Sequence, residues 1–543
     1  MLARSSLLVL SLLTASVCAA AAMTALRLPT EFTPLVLALF VVAGMVGFRR
    51  LPLVDAEPLR WFEGALIGWA AAIQLVRLVP YTAQHLTGGL GAAVNYDDNW
   101  HFQELASLVN SERFPPLLNY QPDTHLHFYY VAWMPAAAIG ELFQLAGASA
   151  IKFSYGAGTL LLGIAAAVIL VVVLRHLLEP RQRGPALAAV LVAGAVPDGV
   201  VVLGRWVGAL ATPSEDWLAH AEWWQRDLGI PNQISSLTTL LIWVPHHLIA
   251  AMALLLAVVV ATEPRTLAPR TGPIAMVAAG LLVGFAAFSS VFALIGGLAT
   301  LSPLLARFVT RPGVVVAVLA TAFVSAPLAY IYLNADSAGG FRFFLIFTRW
   351  SEQFGGTPAG LAGLALAAAF VMAEVGWLAW LALRPPPSPL ASPLGQCAIA
   401  ASLFLAATVV IGFSGANNFA MRGAILPVIV IAMAWSRARV AAAPDDGPEI
   451  VRPLAAAVLV LFAGATHLNE ALLHGRNAGQ AIAFVQETET CKASIMAANA
   501  GPPGPVDPTG WDCRHTYSLY GLERPFVKRT LTDPDYELMG RGP

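Results

Sequence analysis

The chain has few charged residues and no excess of either sign. Of its 543 residues, 12% are charged and 57% are hydrophobic, whereas about a quarter of the residues of a soluble domain are charged. Its 31 Lys and Arg residues nearly balance its 32 Asp and Glu residues, and it has no basic tract of the kind that contacts nucleic-acid phosphates. The composition therefore excludes an ordinary soluble domain and argues against a nucleic-acid partner. It predicts an all-α polytopic membrane protein.

Cysteine is also scarce, and none of the four cysteines has the spacing of a metal site. Cys18 and Cys397 lie in apolar runs, whereas Cys491 and Cys513 lie in a polar C-terminal segment. Only the last two are expected to meet in an aqueous compartment. If that compartment is extracytoplasmic and oxidising, a disulfide between Cys491 and Cys513 is expected, with two free thiols as the alternative.

Apolar stretches recur along the chain at close to the length of about 20 residues that crosses a bilayer. Arg-rich loops between them alternate with loops rich in Trp, Tyr, His and Asp, and by the positive-inside rule the Arg-rich loops are cytoplasmic. The pattern predicts about thirteen crossings, with a cytoplasmic N-terminus and an outward C-terminal tail. The predicted spans are 5–23, 33–48, 60–79, 151–177, 185–203, 237–261, 273–289, 291–308, 313–333, 358–383, 394–412, 420–436 and 453–470.

Two apolar segments leave alternatives open. The first 23 residues fit either a retained first span or a signal peptide, and a second apolar run close behind them favours a hairpin of two spans. Residues 127–145 are apolar enough to cross, but a full crossing would reverse the sides of the loops that follow. That segment either lies partly in the interface, or a neighbouring span is really two spans or none.

The predicted domains are a transmembrane domain over 1–470 and a small extracytoplasmic tail over 471–543. Two long outward loops, 79–127 and 204–236, are expected to carry short helices. The tail contains Gly-Pro-Pro-Gly-Pro at 501–505 and is too short to bury a large core. No internal repeat is evident, which weakens a transporter built from two inverted halves.

The first outward loop contains NYDDNWHFQELASLVNSERFPP, a polar sequence in an apolar chain. On a short helix Asp97, His101 and Glu104 would share a face, with Asp98 beside it. Two adjacent carboxylates repel each other unless a cation or a hydrogen-bond donor holds them. A carboxylate at the membrane surface can also activate a hydroxyl nucleophile by accepting its proton. A solvated loop is the alternative interpretation.

Other polar side chains in the outward loops are candidates for substrate binding. Glu222 and Trp223 would suit a sugar ring, which offers apolar faces and hydroxyls, but a solvated loop with an interfacial aromatic belt has the same composition. The pair His246-His247 lies at the edge of a span, where an ionisable residue is a functional hypothesis because its burial is costly; a core histidine bonded to a carbonyl is the alternative. Two further loop histidines are His125 and His127.

A third candidate region is GFSGANNFAMRGAILP, which contains Asn418 and, one helical turn later, Arg422. A lone Arg just inside an apolar helix is costly unless it meets an anion, and a phosphate at the bilayer surface would be such an anion. The alternative is an Arg that snorkels to a lipid headgroup.

Four segments together resemble the GT-C superfamily of integral-membrane glycosyltransferases, and more narrowly a group of large bacterial membrane proteins of GT-C-like architecture. They are YDDNWHFQELASLVNSERFPP, HLHFYY, ISSLTTLLIWVPHH and NNFAMRGAILP. The resemblance covers most of the membrane region and does not extend to the tail. It implies a bacterial inner (cytoplasmic) membrane location, a polyprenyl-phosphate-linked sugar donor, a cell-envelope acceptor and inversion at the anomeric carbon.

The resemblance also implies an aspartate of the first outward loop as general base, which would be Asp97 or Asp98, with Asp98 preferred. Some GT-C members bind a divalent metal through acidic residues, so Asp97 and Asp98 could ligate Mg or Mn; other members need no cofactor. The chain departs from many members in having two apolar spans before the one that leads into the acidic loop.

Three rival functions remain open. A transporter or flippase for lipid-linked saccharides predicts buried charges at mid-span, for which Asp198 and Glu374 are the best examples. A metal-dependent enzyme built on histidines lacks a His-x-x-x-His pair; its ligands would come from His101, His125, His127, His246 and His247. A non-catalytic binding or scaffold protein is the third.

Overall fold

The computed structural model of the chain describes most of the membrane region. The described residues are 2–53, 57–87, 93–95, 98–118, 121–126, 130–148, 150–211, 215–222, 233–263, 268–269, 271–308, 312–334, 343–384, 389–413, 418–441 and 451–483. Several predicted site residues therefore lie outside the described residues: Asp97, His127, Trp223, Cys491 and Cys513.

The described part of the N-terminal half is mainly helical and contains one pair of short strands. Its elements are α1 (Leu2–Leu26), a 3-10 turn (Thr30–Phe32), α2 (Thr33–Phe48), α3 (Trp61–Thr87), α4 (Asp98–Asn110), β1 (Leu117–Leu118), β2 (Gln121–His125), α5 (Tyr130–Leu145), α6 (Ile151–Leu177), α7 (Pro180–Val192) and α8 (Val196–Ala211). Strands β1 and β2 pair antiparallel.

The C-terminal half continues the helical pattern. Its elements are a 3-10 turn (Glu215–Leu218), α9 (Leu237–Trp243), α10 (Pro245–Thr262), α11 (Gly272–Ser289), α12 (Val291–Phe308), α13 (Pro312–Asn334), β3 (Phe343–Leu345), α14 (Ile346–Phe354), α15 (Thr357–Val371), a π-helical turn (Met372–Gly376), α16 (Trp377–Leu383), a 3-10 turn (Pro389–Ala391), α17 (Pro393–Val410), β4 (Ile411–Phe413), α18 (Asn418–Gly423), α19 (Ile425–Ala441) and α20 (Val451–Ala483). Strands β3 and β4 pair antiparallel.

The long apolar helices are those of an all-α polytopic membrane protein, as the composition predicts. Among the described residues, 11 helices are long and apolar enough to cross a bilayer, or up to 12 if the bent pair α7 and α8 counts as one span. Most of the predicted spans overlap these helices. Two differ: 185–203 crosses the break between α7 and α8, and 420–436 corresponds mainly to α19, which has only 17 residues. The described helices therefore account for 11 or 12 of the roughly thirteen predicted crossings. The segment 127–145 contains α5, which has 16 residues and is mostly buried among other helices.

The predicted span 237–261 is divided into two helices at Val244. Val244 has φ −138° and ψ 51°, outside the helical region, because the following Pro245 disfavours helical geometry at the residue before it. Pro245 then occupies the first turn of α10, where its missing N–H costs nothing. As a result His246 and His247 lie at the start of a helix that is buried on nearly all sides.

A second break lies between α7 and α8, which are bent by 57°. Gly194 at the break has φ +69°, and a Cβ there would approach the carbonyl oxygen of Ser235 to 2.9 Å. Gly199 on α8 lies against the backbone carbonyl of Phe462 on α20, which leaves no space for a side chain. The break and this close approach bring the first turn of α8, which contains Asp198, against α20.

Helix α20 continues beyond residue 470, where the sequence analysis ends the last span. It has 33 residues, runs to Ala483 and packs against α3 and α8. Its later turns carry the buried residues Asn469, Glu470 and His474. The described start of the predicted tail is therefore part of the helical bundle.

Candidate functional site

The first candidate site is centred on α4. This short helix begins at Asp98, and Asp98, His101 and Glu104 follow one another at helical spacing. All three are buried, with exposures of 0%, 6% and 5%. Because polar side chains at spacings of three residues share a helix face, α4 presents its acids and its imidazole to the surrounding helices.

Asp98 is held by donors from three directions. The hydroxyl of Tyr81 on α3 donates to Oδ2 at 2.6 Å, and the hydroxyl of Tyr155 on α6 donates to Oδ1 at 2.9 Å. The backbone N–H of Asn95 donates to Oδ2 at 3.3 Å. Nε of Arg77 lies 3.5 Å from the same oxygen in a fully buried ion pair. Both carboxylate oxygens are therefore engaged and the charge is compensated.

His101 and Glu104 form a separate pair on the next turn of α4. Nδ1 of His101 lies 2.8 Å from Oε2 of Glu104, and the indole N–H of Trp133 on α5 donates to the same oxygen at 3.0 Å. The His101 ring also stacks on Tyr155, at 6.0 Å between ring centroids. The contact with Glu104 orients the imidazole and leaves Nε2 as the ring nitrogen that can face another group.

The two histidines of α10 reach the same place. The rings of His101 and His246 are 4.6 Å apart, and the His246 ring also lies 5.5 Å from Trp133. The rings of His246 and His247 are 3.9 Å apart. The predicted imidazole pair is therefore next to the acidic helix, although about 140 residues separate them in the chain.

Arg422, from α18, completes this group. Its positive charge acts on both His246 and His247, and its guanidinium carbon lies 5.7 Å from the centroid of the Phe292 ring on α12. We call the set Asp98, His101, Glu104, His246, His247 and Arg422 the acidic-helix site. It unites residues from three of the regions that the sequence analysis considers separately.

The remaining predicted residues lie elsewhere or are only partly described. His125 is exposed on β2. Asn418 is the first residue of α18. Glu222 is buried in a second cluster, described below.

Sequence reasoning missed the side chains that hold Asp98, because Arg77 and Tyr155 lie inside predicted apolar spans and Tyr81 lies just beyond the predicted end of one. A signal for them exists in α3, where polar side chains recur every three to four residues and are all buried: Gln74, Arg77, Tyr81 and Gln84. A polar stripe with helical period in a span indicates a face turned toward other polar groups. Arg77 also donates to the backbone carbonyl of Ile242, and its Nη1 donates to Oε1 of Gln74 at 3.1 Å.

The second cluster joins the loop after α8 to α20. Nδ1 of His220 lies 2.9 Å from Oε1 of Glu470, and the backbone N–H of Ala221 donates to the same oxygen at 2.7 Å. The other carboxylate oxygen, Oε2, accepts from the indole N–H of Trp243 at 3.4 Å. Burial alone would lower the pKa of His220, but the negative charge of Glu470 raises it to about 9. His220 is thus a cation at neutral pH.

Three more carboxylates lie around this ion pair. Glu222 lies 4.0 Å from Nε2 of His220 and accepts a hydrogen bond from the side chain of Gln233; burial raises the pKa of Glu222. Asp198 on α8 and Glu374 in the π-helical turn are fully buried, and the negative charges of Asp198 and Glu222 act on Glu374. We call Asp198, Glu222, Glu374 and Glu470 the carboxylate cluster.

Of the two aspartates that the resemblance would place on a divalent metal, only Asp98 lies among the described residues, and its surroundings do not favour a second cation. Within the described ranges, no group of three or more His, Cys, Asp and Glu side chains is placed to hold a metal ion. Both oxygens of Asp98 accept hydrogen bonds, and the adjacent positive charge of Arg77 opposes a second cation. No chemical step is therefore assigned to a metal here.

Comparison with protein-family models finds none that matches the chain, and comparison with curated proteins finds no match either. The fold and the geometry of the two clusters are thus the basis for any statement about function.

Proposed function

We propose that the chain is a membrane glycosyltransferase that transfers a sugar from a polyprenyl-phosphate-linked donor to a cell-envelope acceptor on the extracytoplasmic face. The observation that supports this is the meeting of acid, imidazole and guanidinium groups from α4, α10 and α18 in the acidic-helix site. Sugar transfer from a lipid phosphate needs a group that accepts the acceptor's proton and a cation that stabilises the leaving phosphate.

Within this proposal His101 is the proton acceptor and Glu104 is the residue that positions it. The imidazole has one nitrogen bonded to a buried carboxylate, which fixes its orientation and leaves Nε2 as the nitrogen that would accept a proton. Asp98, the preferred base from sequence, is less suited because both of its oxygens already accept hydrogen bonds. Its role is to hold the N-terminus of α4 in place.

Arg422 is the proposed partner of the donor phosphate. Arg presents planar donors that match phosphate geometry, and its charge does not depend on pH. The His246 ring lies 4.6 Å from that of His101, and the charge of Arg422 acts on both His246 and His247; in this proposal the two imidazoles contact the polar groups of a sugar. The acceptor proton would pass to His101, and the negative charge of the departing phosphate would face Arg422.

The test is sugar transfer by the purified full-length protein in lipid vesicles that contain polyprenyl-phosphate-linked sugars. His101→Gln is expected to lower kcat by about 10²- to 10⁴-fold, whereas Arg422→Met is expected to raise KM for the donor as well as lower kcat. His176→Gln, which changes an imidazole that pairs with Glu263 at 2.9 Å near the C-terminal end of α6, is the matched control and should leave both parameters unchanged. Full activity of His101→Gln would overturn the assignment of the base, and activity that survives in both variants would overturn the proposed site.

A second candidate function is transport of a lipid-linked saccharide without chemistry. The observation that favours it is the burial of Asp198 and Glu374 within apolar helices, because ionisable residues in spans mark ion or substrate pathways. It predicts that the reconstituted protein moves a fluorescent lipid-linked saccharide between leaflets. Sugar transfer with no such movement would favour the enzyme.

A further inference from the structure

Glu374 is a buried carboxyl without a hydrogen-bond donor. Its exposure is 0%, and no described residue donates to either Oε1 or Oε2. It lies in the π-helical turn between α15 and α16, a local widening of the helix that is frequent at functional sites. The backbone carbonyl of the same residue accepts from the N–H of Gly194 at 3.3 Å, at the α7–α8 break.

The charged groups that act on Glu374 are carboxylates, which are negative, as an ionised Glu374 would be. They come from Asp198 on α8 and Glu222 in the loop after α8, and Oε1 of Glu222 is likewise buried with no donor among the described residues. The cations near the cluster do not pair with Glu374: His220 pairs with Glu470 and lies 4.0 Å from Glu222, and the guanidinium of Arg205 donates to the carbonyl of His220 at 3.1 Å. From α20, His467 bonds to the backbone carbonyl of Leu191 at 2.8 Å.

An ionised Glu374 would be costly in this position. A buried charge that has neither a cation nor hydrogen-bond donors costs several kcal/mol, and each nearby carboxylate adds repulsion that is little screened inside the bundle. Uptake of one proton removes both costs. A metal ion is a poorer occupant, because no group of three or more ligating side chains in the described parts of the chain is arranged around one.

We propose that Glu374, together with Asp198 and Glu222, forms a proton-binding site within the membrane region, in which Glu374 holds the proton on a carboxylate oxygen at neutral pH. The site lies where two irregular backbone segments meet, the π-helical turn and the break at Gly194. Loss of the proton would place a negative charge beside Asp198 and Glu222 at this junction. The inference is independent of sugar transfer and holds for either candidate function.

The test is infrared spectroscopy of the full-length protein in lipid, comparing wild type with Glu374→Gln. The wild-type spectrum is expected to contain a protonated-carboxyl C=O band that Glu374→Gln removes and that Glu352→Gln retains. Glu352, exposed on α14, is the matched control because it undergoes the same chemical change at a hydrated position. A spectrum in which Glu374→Gln leaves the protonated-carboxyl region unchanged would overturn the proposal.

A second measurement on the unmodified protein covers the case in which the variant fails to fold. An apolar carbodiimide reacts with protonated carboxyls in apolar surroundings, so peptide mass spectrometry should find Glu374 labelled at neutral pH and progressively less labelled at alkaline pH. Glu63, equally buried but paired with Arg175, should remain unlabelled. Labelling of Glu63 with none at Glu374 would contradict the proposed site.

Discussion

The acidic-helix site and the carboxylate cluster are both buried and both acidic, but their charges are compensated differently. Around Asp98, three hydrogen-bond donors and the guanidinium of Arg77 converge on one carboxylate. In the carboxylate cluster, the donors and the cation converge on Glu470, while Glu374 has no donor among the described residues. The carboxylate of Asp98 therefore has both hydrogen-bond donors and a counter-charge. Glu374 has neither, so protonation of Glu374 can change the charge within the bundle.

This difference indicates separate roles for the two regions. A fully compensated carboxylate holds its surroundings rigid, which suits a site that must orient reacting groups. An uncompensated carboxyl responds to pH and to small movements of its neighbours. Variants of each region therefore test whether the two sets of carboxylates differ in this way.

Removal of the cation beside Asp98 should change the stability of the protein more than any other variant considered. Arg77→Met should lower the free energy of unfolding by about 3–5 kcal/mol, because it leaves a buried carboxylate without its counter-charge. Equilibrium unfolding in mixed micelles would measure this. Arg181→Met is the matched control, since Arg181 pairs with Glu179 at 3.1 Å but its side chain is 72% exposed, and surface pairs contribute little.

The double variant Arg77→Met with Asp98→Asn should recover part of that loss, because the two positions share one interaction. Equal stability of Arg77→Met and wild type would mean that Asp98 is compensated without Arg77.

The next largest change in stability is expected when His220, beside the carboxylate cluster, loses its proton. The pKa of His220 is raised from 6.5 to about 9 in the folded protein, so its stabilisation is complete below pH 6.5 and is lost as pH rises through 9. A rise of that size corresponds to at most about 3 kcal/mol. Thermal unfolding followed between pH 6 and 10 should show this decline in the wild type.

His220→Gln keeps a polar side chain but cannot titrate, so its stability should be lower at pH 6 and should vary less across the same pH range. An equally steep decline in this variant would assign the pH dependence to another group.

The smallest effect is the removal of a single donor from Asp98. Tyr155→Phe deletes the hydroxyl that donates to Oδ1 at 2.9 Å, and hydrogen bonds to charged groups contribute about 1.5 kcal/mol or somewhat more. The loss should lie near that lower value because Tyr81 still donates to Oδ2. Tyr330→Phe, at a position that is 71% exposed on α13, is the control and should unfold as the wild type does.

The span pattern was largely predictable because the bilayer imposes a length and a polarity on each crossing. The helices Ile151–Leu177 and Gly272–Ser289 begin and end within a residue of the predicted spans. The breaks at Val244 and Gly194 were not predicted, since hydropathy continues across them. The signals there were local, a residue before Pro and a Gly, and these mark backbone geometry rather than polarity.

Predictability of the candidate site differed from residue to residue. The spacing of Asp98, His101 and Glu104 indicated a shared helical face, and chain polarity singled out His246 and Arg422. Their meeting in space depends on packing among distant helices, which spacing along the chain does not encode. Glu470 was missed because the last span was ended at residue 470, whereas α20 continues to Ala483.

Helix α20 touches both clusters within a little more than one turn. Glu470 binds the loop residue His220. Nδ1 of His474 lies 3.3 Å from the side-chain amide of Asn95, whose backbone N–H donates to Asp98 at the start of α4. A helix is stiff along its axis, so a displacement or rotation that shifts one of these contacts also shifts the other. Helix α20 therefore links the two clusters, and a change in charge at one of them is expected to shift the packing around the other.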